Sequence, residues 1–254
     1  MTGKFDTKYE ITWCPGCTNF FILASVKKAL ENLGLRKEEV VMATGIGCHA
    51  KIFDYIDIGG VYCLHGRTIP IAEGIKIGNP KLKVLAFAGD GDTYNEGMEH
   101  FVHACRFNAD ITLIVHDNRA FSLTTGQATA TSPQNFKSKV EPKGEFLAPL
   151  NPILLALSAG ASFIARANAK DIEGTAKILE EAIKHKGFSY VEVLQDCLIF
   201  SSRKDLDKDT YKVDNRKDKE KAFKLAREWD YNSRGKIPIG IFYQEDRATL
   251  EENV

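Results

Sequence analysis

Four of the six cysteines lie in motifs that are typical of a metal centre. Cys14 and Cys17 enclose a Pro-Gly pair, Cys48 follows Gly-Ile-Gly, and Cys197 follows Gln-Asp. Two cysteines separated by two residues can bind one side of a metal centre, and two distant cysteines can complete it. This spacing fits a [4Fe–4S] cluster and a four-cysteine zinc site equally well. The cysteines therefore predict a metal centre without deciding between iron–sulfur and zinc.

The two remaining cysteines have a different setting. Cys63 falls within a predicted strand and Cys105 within a predicted helix. A free cysteine often behaves as a small buried hydrophobic residue. We therefore expect Cys63 and Cys105 to pack in the core rather than to bind metal.

A glycine-rich turn follows one of the apolar runs. Residues 84–88 have the short apolar pattern of a buried strand, residues 89–92 read Gly-Asp-Gly-Asp, and a helical pattern follows. Open α/β sheets bind ligands beyond the carboxyl ends of their strands, where turns of this kind lie. The glycines allow backbone N–H groups to approach phosphate oxygens, and Asp90 offers a hard oxygen ligand for Mg²⁺. The turn therefore predicts a magnesium–diphosphate site.

The next apolar run along the chain supplies further oxygen ligands. Residues 111–115 are followed by His-Asp-Asn, which ends at Asn118. The side chain of Asn118 and the backbone carbonyl of Ala120 are the second and third candidate ligands. Asp-Gly by itself is an ordinary turn signal. The order strand, turn, helix, strand and Asp-Asn favours the ligand site.

The elements that must position these residues alternate along the chain. Six short apolar runs have the pattern of buried parallel strands, and stretches of helical periodicity separate most of them. We predict an α/β fold with a doubly wound, mostly parallel, six-stranded sheet and helices on both faces. The predicted strands are 40–43, 61–64, 84–88, 111–115, 161–165 and 190–194, and the predicted helices are 18–33, 69–77, 95–107, 152–159 and 172–186.

The domain organisation follows from the same alternation. We expect one domain over residues 1–254, in which residues 1–20 and the region of Cys197 contribute to the metal centre. Residues 203–254 are expected to form a C-terminal arm of that domain. Its first half, 203–227, is dense in Lys, Asp and Glu, which is typical of a solvated surface segment.

Composition excludes several classes of protein. Lys plus Arg and Asp plus Glu both number 34, so the formal net charge is zero, which argues against nucleic-acid binding. The sequence has neither a signal-peptide pattern nor the roughly 18 consecutive apolar residues of a membrane helix. We therefore expect a cytoplasmic protein. In that compartment, cysteine motifs more often serve metal binding or catalysis than disulfides.

Several blocks of sequence resemble a known family. Gly-Asp-Gly followed at a distance by asparagine resembles the motif of thiamine diphosphate enzymes. The chain as a whole resembles the β subunit of the 2-oxoacid:ferredoxin oxidoreductases. The matching blocks are WCPGC at 13–17, GIGC at 45–48, LHGR at 64–67, SLTTGQ at 122–127, NPILLALSAGA at 151–161 and GKIPIG at 235–240.

The resemblance implies three cofactors and assigns residues of the chain to each of them. Cys14, Cys17, Cys48 and Cys197 would bind one [4Fe–4S] cluster, which favours iron–sulfur over zinc. Asp90, Asn118 and Ala120 would bind Mg²⁺. Thiamine diphosphate would contact Ile46, Gly47, Cys48, His49, His65, Gly91, Asp92, Ser122 and Leu123.

The resemblance also implies residues near the substrate. Lys51 would attract the carboxylate of a 2-oxoacid as a point charge. Leu123 would pack against the cofactor and line the substrate pocket. The chain departs from the usual family pattern at Thr125, His49 and Asp196. These departures leave the ligands intact but leave the choice of 2-oxoacid open.

The implied reaction is the coenzyme A-dependent oxidative decarboxylation of a 2-oxoacid. Its electrons would pass through the cluster to ferredoxin. The implied partners are an α subunit, which supplies the carboxylate for the aminopyrimidine of the cofactor, and in some members a ferredoxin-like subunit. Two alternatives stand beside this function: a non-redox thiamine diphosphate decarboxylase or carboligase subunit, and a zinc- or cluster-binding scaffold without activity.

Overall fold

One sheet runs through the computed structural model, which describes residues 3–202, 206–232 and 235–254. In these residues the sheet has eight strands, in the order β2-β1-β3-β4-β6-β5-β8-β7. The strands are β1 Val40–Thr44, β2 Gly59–Tyr62, β3 Lys83–Gly89, β4 Ile111–Asp117, β5 Phe163–Asn168, β6 Ser189–Leu194, β7 Thr210–Asp214 and β8 Ile237–Gln244. The prediction of six strands is therefore wrong, although the predicted fold class is confirmed.

The two strands that sequence reasoning did not count lie at one edge of the sheet. β8 pairs antiparallel with β5, and β7 pairs parallel with β8, while the first six strands are parallel to one another. β7 is rich in charge, and β8 contains Pro238 and Gly240, which are usual signals against a strand. β7 is the edge strand, where charge is tolerated, whereas β8 lies between β5 and β7, and its Pro238 precedes Gly240, the first residue of β8 that pairs with β5. These strands lie in the predicted C-terminal arm, of which residues 203–205 and 233–234 are outside the described residues.

Helices lie on both faces of the sheet, as predicted. They are α1 Asn19–Asn32, α2 Thr68–Gly78, α3 Met98–Phe107, α4 Pro152–Ala159, α5 Ile172–Lys184, α6 Leu206–Asp209 and α7 Lys219–Arg227. α1 packs against α5 on one face, whereas α3 packs against α2 and α4, and α4 against α7, on the other. Each face buries its own apolar cluster, one around Phe87 and Ile114 and the other around Phe101 and Tyr190.

Local sequence signals explain where several helices begin and end. The Asn151 side chain accepts a hydrogen bond from the backbone of Leu154, Pro152 occupies the first turn of α4, and Gly160 ends that helix with a φ of 86°. α3 begins later than predicted because a π-helical turn, Asp92–Glu96, precedes it. None of the described helices is both long enough and apolar enough to span a bilayer.

The parallel strands bring distant parts of the sequence to one edge of the sheet. β1, β3, β4 and β6 are neighbours and run in the same direction, so the loops that follow them share the carboxyl edge. These loops contain Cys48, Asp90, Asn118 and Cys197. The amino end of α1, directly after Cys17, reaches the same edge.

Candidate active site

Two adjoining cavities at the carboxyl edge contain all the cofactor, metal and substrate residues predicted from the sequence. The first cavity is lined by the predicted cofactor and magnesium residues, namely Ile46, Gly47, Cys48, His49, His65, Asp90, Gly91, Asp92, Asn118, Ala120, Ser122 and Leu123. The second is lined by Cys14, Cys17, Cys48, Cys197 and Lys51. We call them the glycine-turn cavity and the cysteine cavity.

A shared wall separates the two cavities. Cys48, Asn118, Ser122 and Leu123 line both of them. The indole N–H of Trp13, beside the first cysteine, donates a 2.7 Å hydrogen bond to the Cys48 carbonyl. The Ser122 hydroxyl acts on the Cys48 thiol and lowers its pKa. The cysteine cavity and the glycine-turn cavity therefore lie on opposite sides of one layer of residues.

Backbone turns and one threonine bring the distant cysteines together. Gly16 has a φ of 80°, which allows the Cys14–Cys17 turn to close with a 3.0 Å bond from the Cys17 N–H to the Cys14 carbonyl. The next residue, Thr18, exchanges hydrogen bonds of 3.1 Å with both backbone groups of Asp196. Cys197 is thereby held beside the N-terminal pair.

The other two cysteines pack elsewhere, as expected. Cys63 is 6% exposed and Cys105 is fully buried, and both belong to the apolar cluster around Phe101. Burial raises the pKa of Cys63 to about 11 and that of Cys105 further. Neither residue lines either cavity.

The thiols of the cysteine cavity influence one another. Burial raises the pKa of Cys17 and of Cys48, and the neighbouring cysteines raise both further. The Ser122 hydroxyl opposes this effect at Cys48. Since metal binding requires thiolates, loading this cavity must release protons.

At several glycines of this cavity, a side chain would collide with aromatic or imidazole rings that pack against the backbone. A Cβ atom on Gly91 would lie 2.3 Å from Cε1 of Phe121. A Cβ on Gly89 or on Gly47 would lie 2.8 or 2.9 Å from the imidazole of His49. The glycines therefore leave room for the side chains that line the cavity and keep their backbone accessible.

Asp92 organises two histidines in the glycine-turn cavity. Its carboxylate accepts hydrogen bonds from the Gly66 backbone at 2.6 Å and from the Thr68 hydroxyl at 3.2 Å. His49 Nε2 and His65 Nδ1 each lie 3.5 Å from its oxygens. Burial favours the protonated acid, but the interactions with His49, Gly66 and His65 outweigh it and lower the pKa of Asp92. A carboxylate at this position holds both imidazoles in place.

Asp90 is buried and partnered by hydroxyl groups. Thr129 and Thr131 donate to its Oδ2 at 2.5 and 3.2 Å. Burial raises the pKa of Asp90 to about 6, although both hydroxyl hydrogen bonds act in the opposite direction. A cation in the cavity would favour the carboxylate form.

Both polar atoms of the Asn118 side-chain amide form hydrogen bonds. Its Nδ2 donates to the Ser122 hydroxyl at 3.0 Å, and its Oδ1 accepts from the Ala120 N–H at 3.0 Å. An amide oxygen has a second lone pair, so Oδ1 retains the capacity to bind a cation. The bond to Ser122 also fixes the loop that carries Leu123.

Sequence reasoning missed His116, which also lines the glycine-turn cavity. It is 1% exposed, and its Nδ1 lies 2.9 Å from Oδ1 of Asn19 at the start of α1. Burial lowers its pKa well below the usual value, so the imidazole is neutral. Its position beside Asp117 at the end of a predicted strand was the available signal. Asn19 lines the cysteine cavity, so this pair also connects the two cavities.

Lys51 lies at the cysteine cavity, on the short helical turn His49–Asp54. Its ammonium donates to the backbone carbonyl and the hydroxyl of Thr12, at 3.2 and 3.1 Å. The Tyr55 hydroxyl lies 3.0 Å from the same Thr12 hydroxyl. Lys51 therefore anchors the segment before Cys14 and presents a positive charge at the rim.

Among the described residues, no three His, Cys, Asp or Glu side chains are arranged so that they could hold a metal ion. The cysteines share a cavity, and Asp90 and Asn118 share the other. The assignments of iron–sulfur and of magnesium therefore stay predictions.

Comparisons with known proteins agree with this arrangement. A family model described as the thiamine pyrophosphate enzyme C-terminal TPP binding domain matches residues 45–193. A second model, which describes the C terminal of the pyruvate ferredoxin oxidoreductase beta subunit, matches residues 203–254. Together the two matches cover residues 45–254 apart from 194–202.

Two relatives are similar over most of the chain. The 2-oxoacid:ferredoxin oxidoreductase subunit beta of Saccharolobus solfataricus is 40% identical over 94% of this chain and 84% of its own length. The 2-oxoglutarate synthase subunit KorB of Archaeoglobus fulgidus is 41% identical over 73% of this chain and 69% of its own length.

A solved structure also matches. It is the 2-oxoglutarate:ferredoxin oxidoreductase from Magnetococcus marinus with 2-oxoglutarate, coenzyme A and succinyl-CoA bound. The TM-score is 0.94 at 31% sequence identity, over 100% of this chain and 88% of that one. The chain therefore belongs to the β-subunit family of the 2-oxoacid:ferredoxin oxidoreductases.

Proposed function

We propose that this β subunit takes part in the coenzyme A-dependent oxidative decarboxylation of a 2-oxoacid. A 2-oxoacid, coenzyme A and two oxidised ferredoxins give acyl-CoA, CO₂, two reduced ferredoxins and one proton. The observation that carries the proposal is the shared wall, at which Cys48 borders both the cysteine cavity and the glycine-turn cavity. We place this activity in the cytoplasm, where thiols remain reduced.

The glycine-turn cavity has unused hydrogen-bonding capacity that fits a diphosphate. Nε2 of His116 is buried and has no hydrogen-bond partner, whereas His49 Nε2 and His65 Nδ1 face the Asp92 carboxylate at 3.5 Å. Buried polar atoms in native proteins normally have partners, so the His116 nitrogen favours a polar occupant of the cavity. Asp90, Asn118 and the Ala120 carbonyl would hold Mg²⁺ with oxygen ligands, as that cation prefers.

The donor set of the cysteine cavity fits an iron–sulfur cluster. Its four cysteines are free thiols, and four thiolates are the usual ligands of a [4Fe–4S] cluster. Apolar side chains of Leu198 and Phe200 line the same cavity and would limit access of water. A cluster in this cavity would be separated from the cofactor by the shared wall alone.

When bound, thiamine diphosphate supplies the electron sink for decarboxylation, and the cluster supplies a one-electron acceptor. The residues of the chain provide placement and electrostatics. Lys51 offers its charge to the substrate carboxylate at the rim, and Leu123, which is 47% exposed, supplies apolar contact next to it. His65 and His49, held by Asp92, donate or accept hydrogen bonds at the diphosphate end.

The site requires a partner subunit to complete it. The enclosed part of the glycine-turn cavity measures about 80 Å³, whereas complete ligand pockets measure roughly 300–1,000 Å³. The carboxylates that line it are Asp90 and Asp92, and both are engaged by neighbouring side chains. The α subunit would therefore supply the missing wall and the carboxylate for the aminopyrimidine, and in some assemblies a ferredoxin-like subunit would join.

Exposed apolar side chains around the two cavities support this partner. Large apolar side chains at the rim are more than a third exposed, and such patches are typical of interaction sites. They are Ile46, Leu64, Leu123, Leu198, Ile199 and Phe200. An α subunit that covers this rim would bury them and close the active site.

Cysteine substitutions in the complex test the cluster assignment. We expect Cys197→Ala to lower bound iron and acid-labile sulfide several-fold and to abolish the visible iron–sulfur absorbance. Cys63→Ala is the matched control, because Cys63 is buried away from both cavities and should leave the iron content unchanged. Iron, sulfide and zinc are measured on anaerobically purified α and β subunits produced together.

The same preparation separates the proposed function from its alternatives. Binding of thiamine diphosphate is measured by titration, and turnover is measured with a viologen dye, coenzyme A and a panel of 2-oxoacids. Cofactor binding without iron would identify a non-redox thiamine diphosphate enzyme. Zinc without cofactor binding would identify a scaffold. Turnover with one 2-oxoacid would establish both the function and its substrate.

A further inference from the structure

We propose that Thr129 and Thr131 are positioning residues for the proposed magnesium site. Their hydroxyl groups fix the carboxylate of Asp90 and connect it to Asp117 on the neighbouring strand. The inference rests on the proposed function, because it concerns how the chain prepares the ligand that would meet Mg²⁺ and the diphosphate.

Two hydroxyl groups converge on one carboxylate oxygen. Thr129 donates to Oδ2 of Asp90 at 2.5 Å, and Thr131 reaches the same oxygen at 3.2 Å. Both bonds are buried, since Thr129 is 5% and Thr131 is 0% exposed. Donors that meet at one oxygen fix the orientation of the carboxyl plane and so direct the rest of the group. Asp90 therefore reaches the cavity in one orientation.

Thr131 also connects the two strand ends. Its hydroxyl lies 2.9 Å from Oδ1 of Asp117, which ends β4, while Asp90 follows β3. A hydroxyl carries one proton, so it serves one of the two carboxylates at a time while its oxygen stays between them. This link lies beyond the last backbone pair of the two strands, Gly89 and His116. It therefore sets the spacing of the loops that carry the proposed ligands.

Ser132 fixes the threonine segment to the second ligand loop. Its hydroxyl donates to the carbonyl of Arg119 at 2.6 Å and accepts from the Thr129 N–H at 2.8 Å. Arg119 lies between Asn118 and Ala120, has a φ of 59°, and donates its own N–H to Asp117 at 3.0 Å. Residues 129–132 thus form hydrogen bonds with both loops that carry proposed ligands, the one with Asp90 and the one with Asn118 and Ala120.

Isosteric variants of the assembled complex test the proposal. Thr131→Val and Thr129→Val remove one hydroxyl each and retain the shape of the side chain. We expect each to raise the Mg²⁺ concentration for half-maximal thiamine diphosphate binding by about tenfold, as loss of a group that orients a metal ligand does. Thr131→Ser restores the hydroxyl and should return the value to within about threefold of the wild type.

Thr112→Val is the matched control. Thr112 is also buried on β4, but its hydroxyl faces the Ala182 carbonyl at 3.4 Å, at the opposite end of that strand. This variant should leave the Mg²⁺ dependence unchanged. Thermal unfolding of every variant without cofactor measures stability separately. If Thr131→Val does not fold, Thr129→Val still reports on the loss of a hydroxyl group at Asp90.

The outcomes separate this inference from the function on which it rests. Variants that unfold earlier but need the same Mg²⁺ concentration as the wild type would assign the threonines a structural role and overturn the inference alone. A wild-type complex that binds no thiamine diphosphate at any Mg²⁺ concentration would overturn the proposed function and the inference with it. A raised Mg²⁺ requirement that serine reverses would support both.

Discussion

Gly91 is the position at which a single methyl group would alter the glycine-turn cavity most directly. In Gly91→Ala, the new Cβ would meet the Phe121 ring at 2.3 Å, so the ring or the turn must move. We expect thiamine diphosphate affinity to fall at least about tenfold, because a small displacement of phosphate-binding backbone is costly. Titration of the assembled complex measures the affinity.

Gly74→Ala is the control for this substitution. Gly74 lies in α2, and a Cβ there meets nothing within 4 Å. Alanine is favoured over glycine in a helix by about 1 kcal/mol, so this variant should be more stable and should bind the cofactor normally. Equal cofactor binding by the alanine variants at 91 and 74 would show that the glycine turn does not approach the cofactor.

At this scale the sequence identified candidate site residues by their type and motif. Cysteine motifs and Gly-Asp-Gly-Asp indicated side chains that the structure brings into two adjoining cavities. His116 and Thr131 were not predicted, because their roles depend on partners far away in sequence, Asn19 and Asp90 respectively. A histidine or threonine alone does not indicate which side chain it will meet.

At the scale of elements, a buried ion pair connects β5, β6 and the segment before β8. Arg166 and Glu192 are cross-strand partners, fully buried, with Nε and Oε2 2.6 Å apart. The Tyr231 hydroxyl donates to Glu192 at 2.5 Å and accepts from Arg166 at 2.8 Å. The guanidinium also lies 5.0 Å from the Trp229 ring. The C-terminal segment is thereby attached to the centre of the sheet.

Glu192→Gln should destabilise the protein by about 3–5 kcal/mol, because it leaves the buried Arg166 charge without its counterion. Glu181→Gln is the control: it removes a pair with Arg216 in which the two side chains are 36% and 40% exposed, and should cost less than about 1 kcal/mol. Urea unfolding gives both values. Similar losses in the two variants would contradict the role of the buried pair.

The buried Arg166–Glu192 pair also explains why the end of β5 was not predicted correctly. The predicted strand 161–165 stops just before Arg166, because a charged residue usually marks the surface, whereas β5 continues to Asn168. Sequence periodicity identifies buried strands by their apolar side chains, so it cannot anticipate a charge that is paired across the sheet. The two missed strands, the edge strand β7 and its neighbour β8, have the same cause, since charge, proline and glycine conceal them.

At the scale of the whole molecule, one partly buried acid should make stability depend on pH. Burial raises the pKa of Glu73 on α2 to about 7, and its Oε1 has no hydrogen-bond partner. Because the folded-state pKa lies above the unfolded value, this group contributes stability that is complete below pH ~4.5 and is lost as the pH rises through about 7. The folded state therefore favours the protonated form of Glu73.

Glu73→Gln removes this titration. We expect the free energy of unfolding of this variant, relative to that of the wild type, to be higher at pH 8 than at pH 5 by on the order of 1 kcal/mol or more. Urea unfolding at the two pH values measures the change. The exposed Glu31→Gln on α1 should show no such difference. A Glu73→Gln difference that is the same at both pH values would rule out titration of this side chain.

The position of Cys48 in the wall between the cavities has a consequence for maturation. Cys48 lines the cysteine cavity, and the residues on either side of it line the glycine-turn cavity. The loop from Gly45 to His49 therefore cannot adapt to one occupant without adjusting its fit to the other. With an iron–sulfur cluster and thiamine diphosphate in these cavities, as proposed, the order of their insertion would matter for such a loop, and oxidation of this single sulfur would disable both sites together.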